Sequence, residues 1–281
     1  MSENKRIWIT GAKGYLGQAL SKRLADAGYD VIGSDRNMDI GDFDRLEAFA
    51  QEIRPHAVIN CAGVRRDATS LSARFRAYEA NALGARNVAL AAEGVGAITV
   101  QVSSDDVYSA KTLEPVNEFD TPNADTPYGK SKRAGEAMVR DTTERHIILR
   151  TSWLYRKGGG RLQNLLQAAE AGTTIPARTD QYAAPTSIKT YTEFLIKVLN
   201  SGKFGTFNIA TQGKCNRYEF ASKALELCGY DPAAVLVATE DPATAESVIL
   251  EGIMNEIAGI MPMPTWEQDL EDYLKSQGLT K

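Results

Sequence analysis

The sequence predicts an α/β protein with a doubly wound parallel sheet and a smaller C-terminal lobe. Short runs rich in Val and Ile alternate with helical patterns through the first half of the chain, which is typical of parallel strands joined by crossover helices. Three glycines, Gly11, Gly14 and Gly17, separate the first run from the first helical pattern, and Asp35 ends the second run. These features favour a Rossmann-type sheet with a ligand site at its strand ends.

Five runs are predicted as strands, in the order RIWIT, DVIGSD, AVINCAG, AITVQVSS and HIILRTS. After Gly14, the apolar positions Leu16, Leu20 and Leu24 fall on one helical face, and Gly28 stands where a C-terminal cap belongs. LEAFAQEIRP and RNVALAAEGVG are predicted as further helices. We therefore expect residues 1–152 to form the sheet domain.

Beyond residue 152 the alternation ends. A glycine-rich segment, YRKGGGR, and a loop, RTDQYAAPTS, are joined by predicted helices near LQNLLQAAEAG, YTEFLIKVL, RYEFASKALELCG and WEQDLEDYL. This organisation predicts that residues 153–281 form a substrate lobe that is interleaved with the sheet.

Composition excludes several classes of protein. A net charge of −4 and a pI near 5.4 disfavour a nucleic-acid surface. The chain has neither an N-terminal apolar signal region nor a run of about eighteen apolar residues, so we expect a soluble protein without a membrane partner. Cys61, Cys215 and Cys228 are spaced like neither a zinc site nor a disulfide framework, which indicates a reduced, cytoplasmic setting. With only His56 and His146, no metal site or serine–histidine triad is expected.

The three glycines have a chemical interpretation. A strand, a tight glycine turn and a helix form a phosphate site, because glycine lets the backbone approach the anion and the helix N-terminus supplies N–H groups. The carboxylate of Asp35 can accept hydrogen bonds from the hydroxyls of an adenosine ribose. Residues 1–152 are therefore predicted to bind a dinucleotide, with the spacing Gly-x-x-Gly-x-x-Gly after Thr10.

Several motifs stand in the order and spacing of a known family. They are TGAKGYLG, INCAG, SSDDVY, YGKSK and RTSWLY, with DQYAAPT further along the chain. On these motifs the chain resembles the extended short-chain dehydrogenase/reductase family, and most of all its branch containing dTDP-4-dehydrorhamnose reductase. The resemblance covers about residues 5–220 and implies a nicotinamide dinucleotide as the cofactor.

Tyr128 and Lys132 are the predicted chemical centre. They are four residues apart, which on a helix places both side chains on one face. A tyrosine titrates near pH 10, so it needs a nearby cation before it can exchange protons near neutrality, and Lys132 can supply that charge. The resemblance implies a triad in which Ser104 orients the substrate carbonyl, Tyr128 donates the proton, and Lys132 tunes Tyr128 and holds the nicotinamide ribose.

Asp105 and Asp106 follow Ser104 directly. They are interpreted either as caps of a turn or as catalytic groups, since related sugar-nucleotide dehydratases carry an acidic pair after the Ser/Thr. The 4-reductases of the branch usually keep only the first carboxylate. A dehydratase or epimerase with tightly bound NAD(P) therefore stays an alternative.

The resemblance implies further cofactor contacts. Asp39 and Ile40 match the adenine-edge pair of the family, and Asn81 matches a helix asparagine near the catalytic tyrosine. Asp35 favours NAD, whereas Arg36 and Lys13 can accept the extra phosphate of NADP, so the choice between the two stays open. The predicted cofactor-binding residues are Gly11, Lys13, Gly14, Tyr15, Leu16, Gly17, Asp35, Arg36, Asp39, Ile40, Cys61, Ala62, Gly63, Asn81, Tyr128 and Lys132.

The predicted substrate contacts begin with Ser104 and Trp153, which in this branch lines the sugar pocket. The family also carries an arginine-containing stretch near its C-terminus that helps to grip the sugar nucleotide. Here that region reads DPATAESVILEG, and residues 224–274 contain no Lys or Arg. The phosphate-binding charge is therefore assigned to the segment YRKGGGR. Its cations are Arg156, Lys157 and Arg161, and Arg65 and Arg66 are further candidates.

Three functions are compatible with these motifs. The first is NAD(P)H-dependent reduction of the 4-keto group of a deoxysugar nucleotide, in an enzyme that pairs as a homodimer. The second is the dehydratase or epimerase alternative. The third is a catalytically silent, dinucleotide-binding regulatory subunit, against which the presence of Ser104, Tyr128 and Lys132 argues.

Overall fold

The structure is a computed structural model that describes residues 5–64, 70–109, 111–245 and 247–280. Its strands are β1 (Arg6–Thr10), β2 (Asp30–Ser34), β3 (Ala57–Asn60), β4 (Ile98–Val102), β5 (Lys111–Val116), β6 (His146–Thr151), β7 (Leu154–Tyr155), β8 (Ile175–Arg178), β9 (Tyr182–Ala183), β10 (Thr186–Ser187), β11 (Gly205–Ile209), β12 (Cys215–Asn216), β13 (Leu236–Thr239) and β14 (Ser247–Leu250). Its α-helices are α1 (Tyr15–Asp26), α2 (Phe43–Ile53), α3 (Leu71–Tyr78), α4 (Ala85–Glu93), α5 (Pro127–Thr142), α6 (Gly160–Ala171), α7 (Ile188–Ser201), α8 (Arg217–Leu227), α9 (Pro232–Val235), α10 (Ile253–Ala258) and α11 (Trp266–Ser276). A π-helical turn (Glu79–Gly84) links α3 to α4, and a 3₁₀ turn (Asp105–Val107) follows β4.

A six-stranded sheet in the order β2-β1-β3-β4-β6-β11 forms the centre of the fold. The pairings from β2 to β6 are parallel, and the five predicted strand runs coincide with β1, β2, β3, β4 and β6. The chain order reverses between β1 and β3, and ligands of open α/β sheets bind at such a switch point, beyond the carboxyl ends of the strands. The predicted doubly wound α/β fold is confirmed.

The chain divides into two compact units, each assembled from several segments. The first contains Met1–Ser109, Thr121–Arg150 and Val198–Phe207, and the second contains Ala110–Asp120, Thr151–Lys197 and Asn208–Lys281. The domain boundary expected between residues 152 and 153 stays a prediction.

Core packing in the first unit explains why its strands are apolar along their whole length. Ile7, Trp8 and Ile9 of β1 are fully buried, as expected for a parallel sheet covered on both faces. Trp8 packs edge-on against Phe49 of α2 at 5.1 Å between ring centroids, and its indole Nε1 donates to Ser34 Oγ at 2.9 Å. Burial of such a side chain contributes roughly 1.5–3 kcal/mol, which holds α2 against the sheet.

A buried carboxylate organises the second unit. Asp269 of α11 is 2% exposed and accepts hydrogen bonds from Tyr155 Oη at 3.0 Å, from the backbone N–H and hydroxyl of Ser187 at 2.6 and 2.7 Å, and from Thr190 Oγ1 at 2.5 Å. These four donors replace the water that the charge loses on burial. Asp269 thereby connects α11 to β7, β10 and α7.

None of the described helices is long and apolar enough to cross a membrane. Within the same described residues, no cluster of three His, Cys, Asp or Glu side chains could hold a metal ion. Cys61, Cys215 and Cys228 form no disulfide with one another.

Candidate active site

At two of the three motif positions, any side chain would collide with backbone atoms, so glycine is required there. Gly11 has φ +67°, and a Cβ atom there would lie 2.7 Å from the backbone N of Ala62. A Cβ atom at Gly17 would lie 2.3 Å from the carbonyl oxygen of Gly11. Gly14 instead caps α1, and its N–H donates to Gly11 O at 3.0 Å. The motif therefore brings the β1 turn, the segment after β3 and the first turn of α1 into direct contact.

A cavity of about 880 Å³ opens beside this turn, in the size range of small-molecule sites. Three segments that follow β1, β2 and β3 line it, as the switch point requires. Ten predicted cofactor residues are in the lining: Gly11, Lys13, Gly14, Asp35, Arg36, Asp39, Ile40, Cys61, Ala62 and Gly63. Sequence reasoning missed four others, Asn37, Met38, Val64 and Ala80, which carry no motif signal. Tyr15, Leu16, Gly17, Asn81, Tyr128 and Lys132 are outside this lining.

Asp35 gives the cavity a fixed negative charge. Its carboxylate accepts hydrogen bonds from the backbone N–H groups of Arg36 and Lys13, both at 2.8 Å. These two bonds hold the pKa of Asp35 below its usual value. The carboxylate is therefore ionised at neutral pH, with Arg36 and Lys13 as cations in the same lining.

The segment that carries Asp39 and Ile40 is fastened from two sides. Asp39 accepts a hydrogen bond from the N–H of Gly41 at 2.9 Å, and Ile40 is 7% exposed in the core. Asn87 of α4 donates from Nδ2 to the carbonyl oxygens of Ile40 and Gly41, at 3.1 and 3.2 Å. Asn87 is a supporting residue that sequence reasoning missed.

A buried polar chain aligns the strand ends behind the cavity. Thr10 Oγ1 donates to Asn60 Oδ1 at 2.7 Å, and Asn60 Nδ2 donates to Gln101 Oε1 at 2.8 Å. Asn60 Oδ1 also accepts from the N–H of Ala62 at 3.2 Å. This chain joins β1, β3 and β4 and orients the segment that follows β3.

Helix α5 presents Tyr128 and Lys132. Thr126 caps the helix by accepting from the N–H of Gly129 at 3.0 Å, and Pro127 occupies the first turn, where its missing N–H costs nothing. Tyr128 is half-buried, and Lys132 is 7% exposed one turn later on the same face. The ammonium Nζ of Lys132 donates to the carbonyl oxygen of Val102, at the end of β4, at 2.6 Å.

Burial lowers the pKa of Lys132 to about 8, although the negative charges of Glu136 and Asp106 oppose this shift. Burial also raises the pKa of the Cys61 thiol to about 12, against the opposing charge of Lys132. Lys132 is therefore cationic at neutral pH, and Cys61 is a neutral thiol.

Ser104 follows β4 and is engaged by both neighbouring carboxylates. Its Oγ lies 2.8 Å from Asp105 Oδ1 and 2.7 Å from Asp106 Oδ2, and it accepts from the N–H of Asp106 at 3.2 Å as the cap of the 3₁₀ turn. A hydroxyl has one proton, so it donates to one carboxylate at a time. Donation to a substrate carbonyl, as predicted, requires the hydroxyl to turn away from the carboxylates.

Glycines let α5 approach these segments closely. A Cβ atom at Gly129 would lie 1.9 Å from the carbonyl oxygen of Asp106, and one at Gly135 would lie 2.0 Å from that of Asn81. Asn81, in the π-helical turn, accepts from Val64 N–H at 2.9 Å and donates to Ser131 Oγ at 2.9 Å. Asn81 thus connects the segment after β3 to α5, instead of lining the cavity.

The predicted substrate residues of the second unit have their own surroundings. The guanidinium carbon of Arg217, at the start of α8, lies 3.4 Å from the ring centroid of Trp153. Lys157 donates from its backbone N–H to Tyr273 Oη at 2.7 Å and from Nζ to Gln277 O at 3.3 Å. Sequence reasoning missed Arg217, because nothing in CNRYEF marks it.

Arg156 is half-buried between β7 and α6, whereas Arg161 is exposed in the first turn of α6. The candidates Arg65 and Arg66 lie outside the described residues.

Comparison with known proteins assigns the chain to a family. A family model described as the RmlD substrate binding domain matches residues 5–278. The spore coat polysaccharide biosynthesis protein SpsK of Bacillus subtilis is 34% identical over 279 residues, covering 97% of this chain and 98% of its own. The dTDP-4-dehydrorhamnose reductase of Mycolicibacterium smegmatis is 29% identical, covering 95% and 84%.

A solved structure agrees with this assignment. The crystal structure of dTDP-4-dehydrorhamnose reductase from Bacillus anthracis in complex with NADP matches with a TM-score of 0.89 and 31% identity, covering 97% of this chain and 99% of that chain. The chain therefore belongs to the RmlD substrate binding domain family, within the extended short-chain dehydrogenases/reductases that its motifs predicted.

Proposed function

We propose that this protein is an NAD(P)H-dependent reductase of the 4-keto group of a deoxysugar nucleotide. One observation carries the proposal: the buried ammonium of Lys132 lies one helical turn from Tyr128 and donates to Val102, two residues before Ser104. This contact supports the assignment of Ser104, Tyr128 and Lys132 to one triad. The relatives named dTDP-4-dehydrorhamnose reductase support the substrate class.

The residues present fit a nicotinamide dinucleotide. Gly11, Lys13 and Gly14 line the cavity where α1 begins, and the helix N-terminus favours a pyrophosphate there. The ionised carboxylate of Asp35 is suited to the adenosine ribose. When bound, NAD(P)H supplies the hydride that reduces the substrate. Both forms stay open, because Asp35 disfavours a 2′-phosphate and Arg36 and Lys13 favour one.

The chain's own residues would handle the proton and the developing charge. When the 4-keto group is reduced, the phenol of Tyr128 would give its proton to the carbonyl oxygen O4, which yields the alcohol. The cation of Lys132 stabilises the phenolate that Tyr128 leaves behind. The hydroxyl of Ser104 donates to O4, released from Asp105 or Asp106.

Residues that follow β6 are proposed as further substrate contacts. Trp153 is proposed to contact the sugar, and Arg156, Lys157 and Arg161 to contact the diphosphate. Arg217 is added here because it stacks on Trp153 and brings a cation to that ring.

One observation favours a second candidate, the dehydratase or epimerase that keeps its NAD(P) bound. The carboxylate of Asp106 lies 2.7 Å from Ser104 Oγ and acts electrostatically on Lys132, which suits a general acid–base group. Such an enzyme returns the hydride to the same sugar, so it produces no net loss of reduced cofactor.

The test is loss of the near-ultraviolet absorbance of NADH or NADPH on mixing with a dTDP-4-keto-6-deoxy sugar. Tyr128→Phe should abolish turnover and leave the dissociation constant of the dinucleotide nearly unchanged. Tyr78→Phe, which changes a tyrosine on α3, is the matched control and should keep full activity.

Full turnover by Tyr128→Phe would refute the assigned proton donor. Intact wild-type cofactor absorbance with conversion of the sugar would favour the second candidate. Intact absorbance with an unchanged sugar and a bound dinucleotide would favour the regulatory subunit.

The proposal also includes a homodimer in a reduced, cytoplasmic compartment. The three cysteines, which are not joined in a disulfide, support such a compartment. Dimers are the commonest closed assembly of soluble proteins. Sedimentation at several protein concentrations tests the assembly, and a monomer at every concentration would refute it.

A further inference from the structure

A buried ion pair stands beside the catalytic residues without a role in the reaction described above. Glu136 of α5 is fully buried and Arg150 of β6 is 2% exposed. Arg150 Nε donates to Glu136 Oε1 at 2.9 Å, and its Nη2 donates to Oε2 at 2.6 Å. Burial alone raises the pKa of Glu136, but the hydrogen bonds and charge of Arg150 bring it below its usual value. Both groups are therefore charged at neutral pH.

Stability is a weak reason for such a pair. Well-packed apolar residues of similar volume often stabilise a core equally well, because the attraction within the ion pair is largely offset by the free-energy cost of desolvating two charges. What the pair supplies, and apolar residues do not, is directed hydrogen bonds. Its remaining bonds therefore indicate its purpose.

Two of those bonds fasten both ends of one short segment, and a third, from Arg140 Nη1 to Glu136 Oε2 at 3.4 Å, stays within α5. Ser103, directly before Ser104, donates from Oγ to Glu136 Oε1 at 2.6 Å. At the other end, Arg150 Nη1 donates to Tyr108 Oη at 2.6 Å, and the guanidinium lies 5.1 Å from the Tyr108 ring centroid. The segment Ser103–Tyr108 carries Ser104 and both carboxylates, so the pair sets its position relative to α5.

The carboxylate of Glu136 also acts on Lys132 through charge. Glu136 follows Lys132 by four residues on α5, and its negative charge counteracts part of the fall in the pKa of Lys132 that burial causes. The other titratable neighbours of Lys132 are Cys61, Asp106 and Tyr128. Because the thiol of Cys61 is neutral at neutral pH, Glu136 and Asp106 are the anions that favour the ammonium.

We propose that Glu136 and Arg150 are positioning residues of the reductase: the pair holds the segment Ser103–Tyr108 against α5, and the carboxylate of Glu136 keeps Lys132 cationic. This inference rests on the proposed function. It predicts effects on kcat and on its pH dependence, while the dinucleotide cavity, which neither residue lines, is unaffected.

Two mild variants test the positioning. Ser103→Ala and Tyr108→Phe each remove one hydrogen bond and leave the ion pair intact, so both should fold. We expect kcat to fall about tenfold in each, with the Kd of NAD(P)H within about twofold of wild type. Val139→Ala, a buried site on the same helix, is the control for general loosening and should keep kcat. Unchanged kcat in both variants would overturn the proposal.

Glu136→Gln tests the charge. The alkaline limb of kcat/KM should move to lower pH by about half a unit or more, since Lys132 loses an anion that favours its ammonium form. General loosening lowers activity at every pH and leaves the limb in place. If this variant does not fold, Glu136→Gln combined with Arg150→Met removes the anion together with the cation that it would leave unpaired. The limb should then move in the same direction by a smaller amount, since Lys132 also loses a repelling charge. A limb at the wild-type pH would overturn the proposal.

A second readout needs no turnover. The ¹³Cε resonance of Lys132, assigned by its loss in Lys132→Met, should titrate at lower pH in Glu136→Gln than in wild type. If wild-type protein reduces no sugar nucleotide, the proposed function fails, while this titration still decides whether Glu136 controls the charge of Lys132.

Discussion

Alkaline pH should inactivate the enzyme through Lys132 well before an ordinary lysine loses its proton. The protonated form is the one that stabilises the Tyr128 phenolate, so a lowered pKa moves the loss of activity to lower pH. With a pKa of about 8, about nine-tenths of Lys132 is protonated at pH 7 and about one-tenth at pH 9. The value of kcat/KM should therefore fall about tenfold for each pH unit above about 8.

The assay is kcat/KM for NAD(P)H with saturating sugar nucleotide, between about pH 6 and pH 10. Lys130→Met removes an exposed lysine of the same helix and is the matched control, which should keep the wild-type limb. The ¹³Cε resonance of Lys132 should titrate at the same pH as the activity. A lysine with the ordinary pKa near 10.4 would still be almost fully protonated at pH 9. Constant kcat/KM up to about pH 10 would therefore refute the reasoning from burial.

Three further predictions concern the glycine turn after β1, the C-terminal helix α11 and the binding of the substrate. Gly17→Ala places a methyl group 2.3 Å from a backbone oxygen and should lower the free energy of unfolding by about 3 kcal/mol. The control Gly94→Ala, whose added Cβ atom lies 3.5 Å from its nearest neighbour, should be tolerated. Equal denaturant midpoints of the two variants would contradict this. Asp269→Asn turns an amide toward four donors and should lower unfolding free energy by about 3 kcal/mol, and an unchanged thermal midpoint would count against that network. Arg217→Met should raise KM for the sugar nucleotide about tenfold without changing NAD(P)H affinity. An unchanged KM would show that Arg217, which stacks on Trp153, is not a substrate contact.

Local patterns predicted the sheet well. The five apolar runs are continuous because both faces of a parallel sheet are covered, and this signal is contained in each run by itself. The predicted C-terminal cap at Gly28 has φ +88°, as its position after α1 requires. The strands β5 and β14 had no such signal, since each is stabilised by pairing with a segment more than 100 residues away in the chain.

The candidate site was predicted in its residue types but not in its contacts. The spacing of Tyr128 and Lys132 is a property of one helix, so sequence alone places them on one face. That Lys132 is buried and has a pKa near 8 depends on Val102, Cys61 and Asp106, which come from other segments.

By itself, the sequence determined the order of the five strands β1, β2, β3, β4 and β6 and the glycine turn, and it predicted which side chains react. Each of these depends on residues within about one or two turns of one another, where spacing translates directly into geometry. Only the tertiary structure decided that Gly129 packs on Asp106, that Lys132 donates to Val102, and that Glu136 meets Arg150. Hydrogen-bond geometry and desolvation depend on which distant segments come into contact, and the local spacing of residues does not predict those contacts.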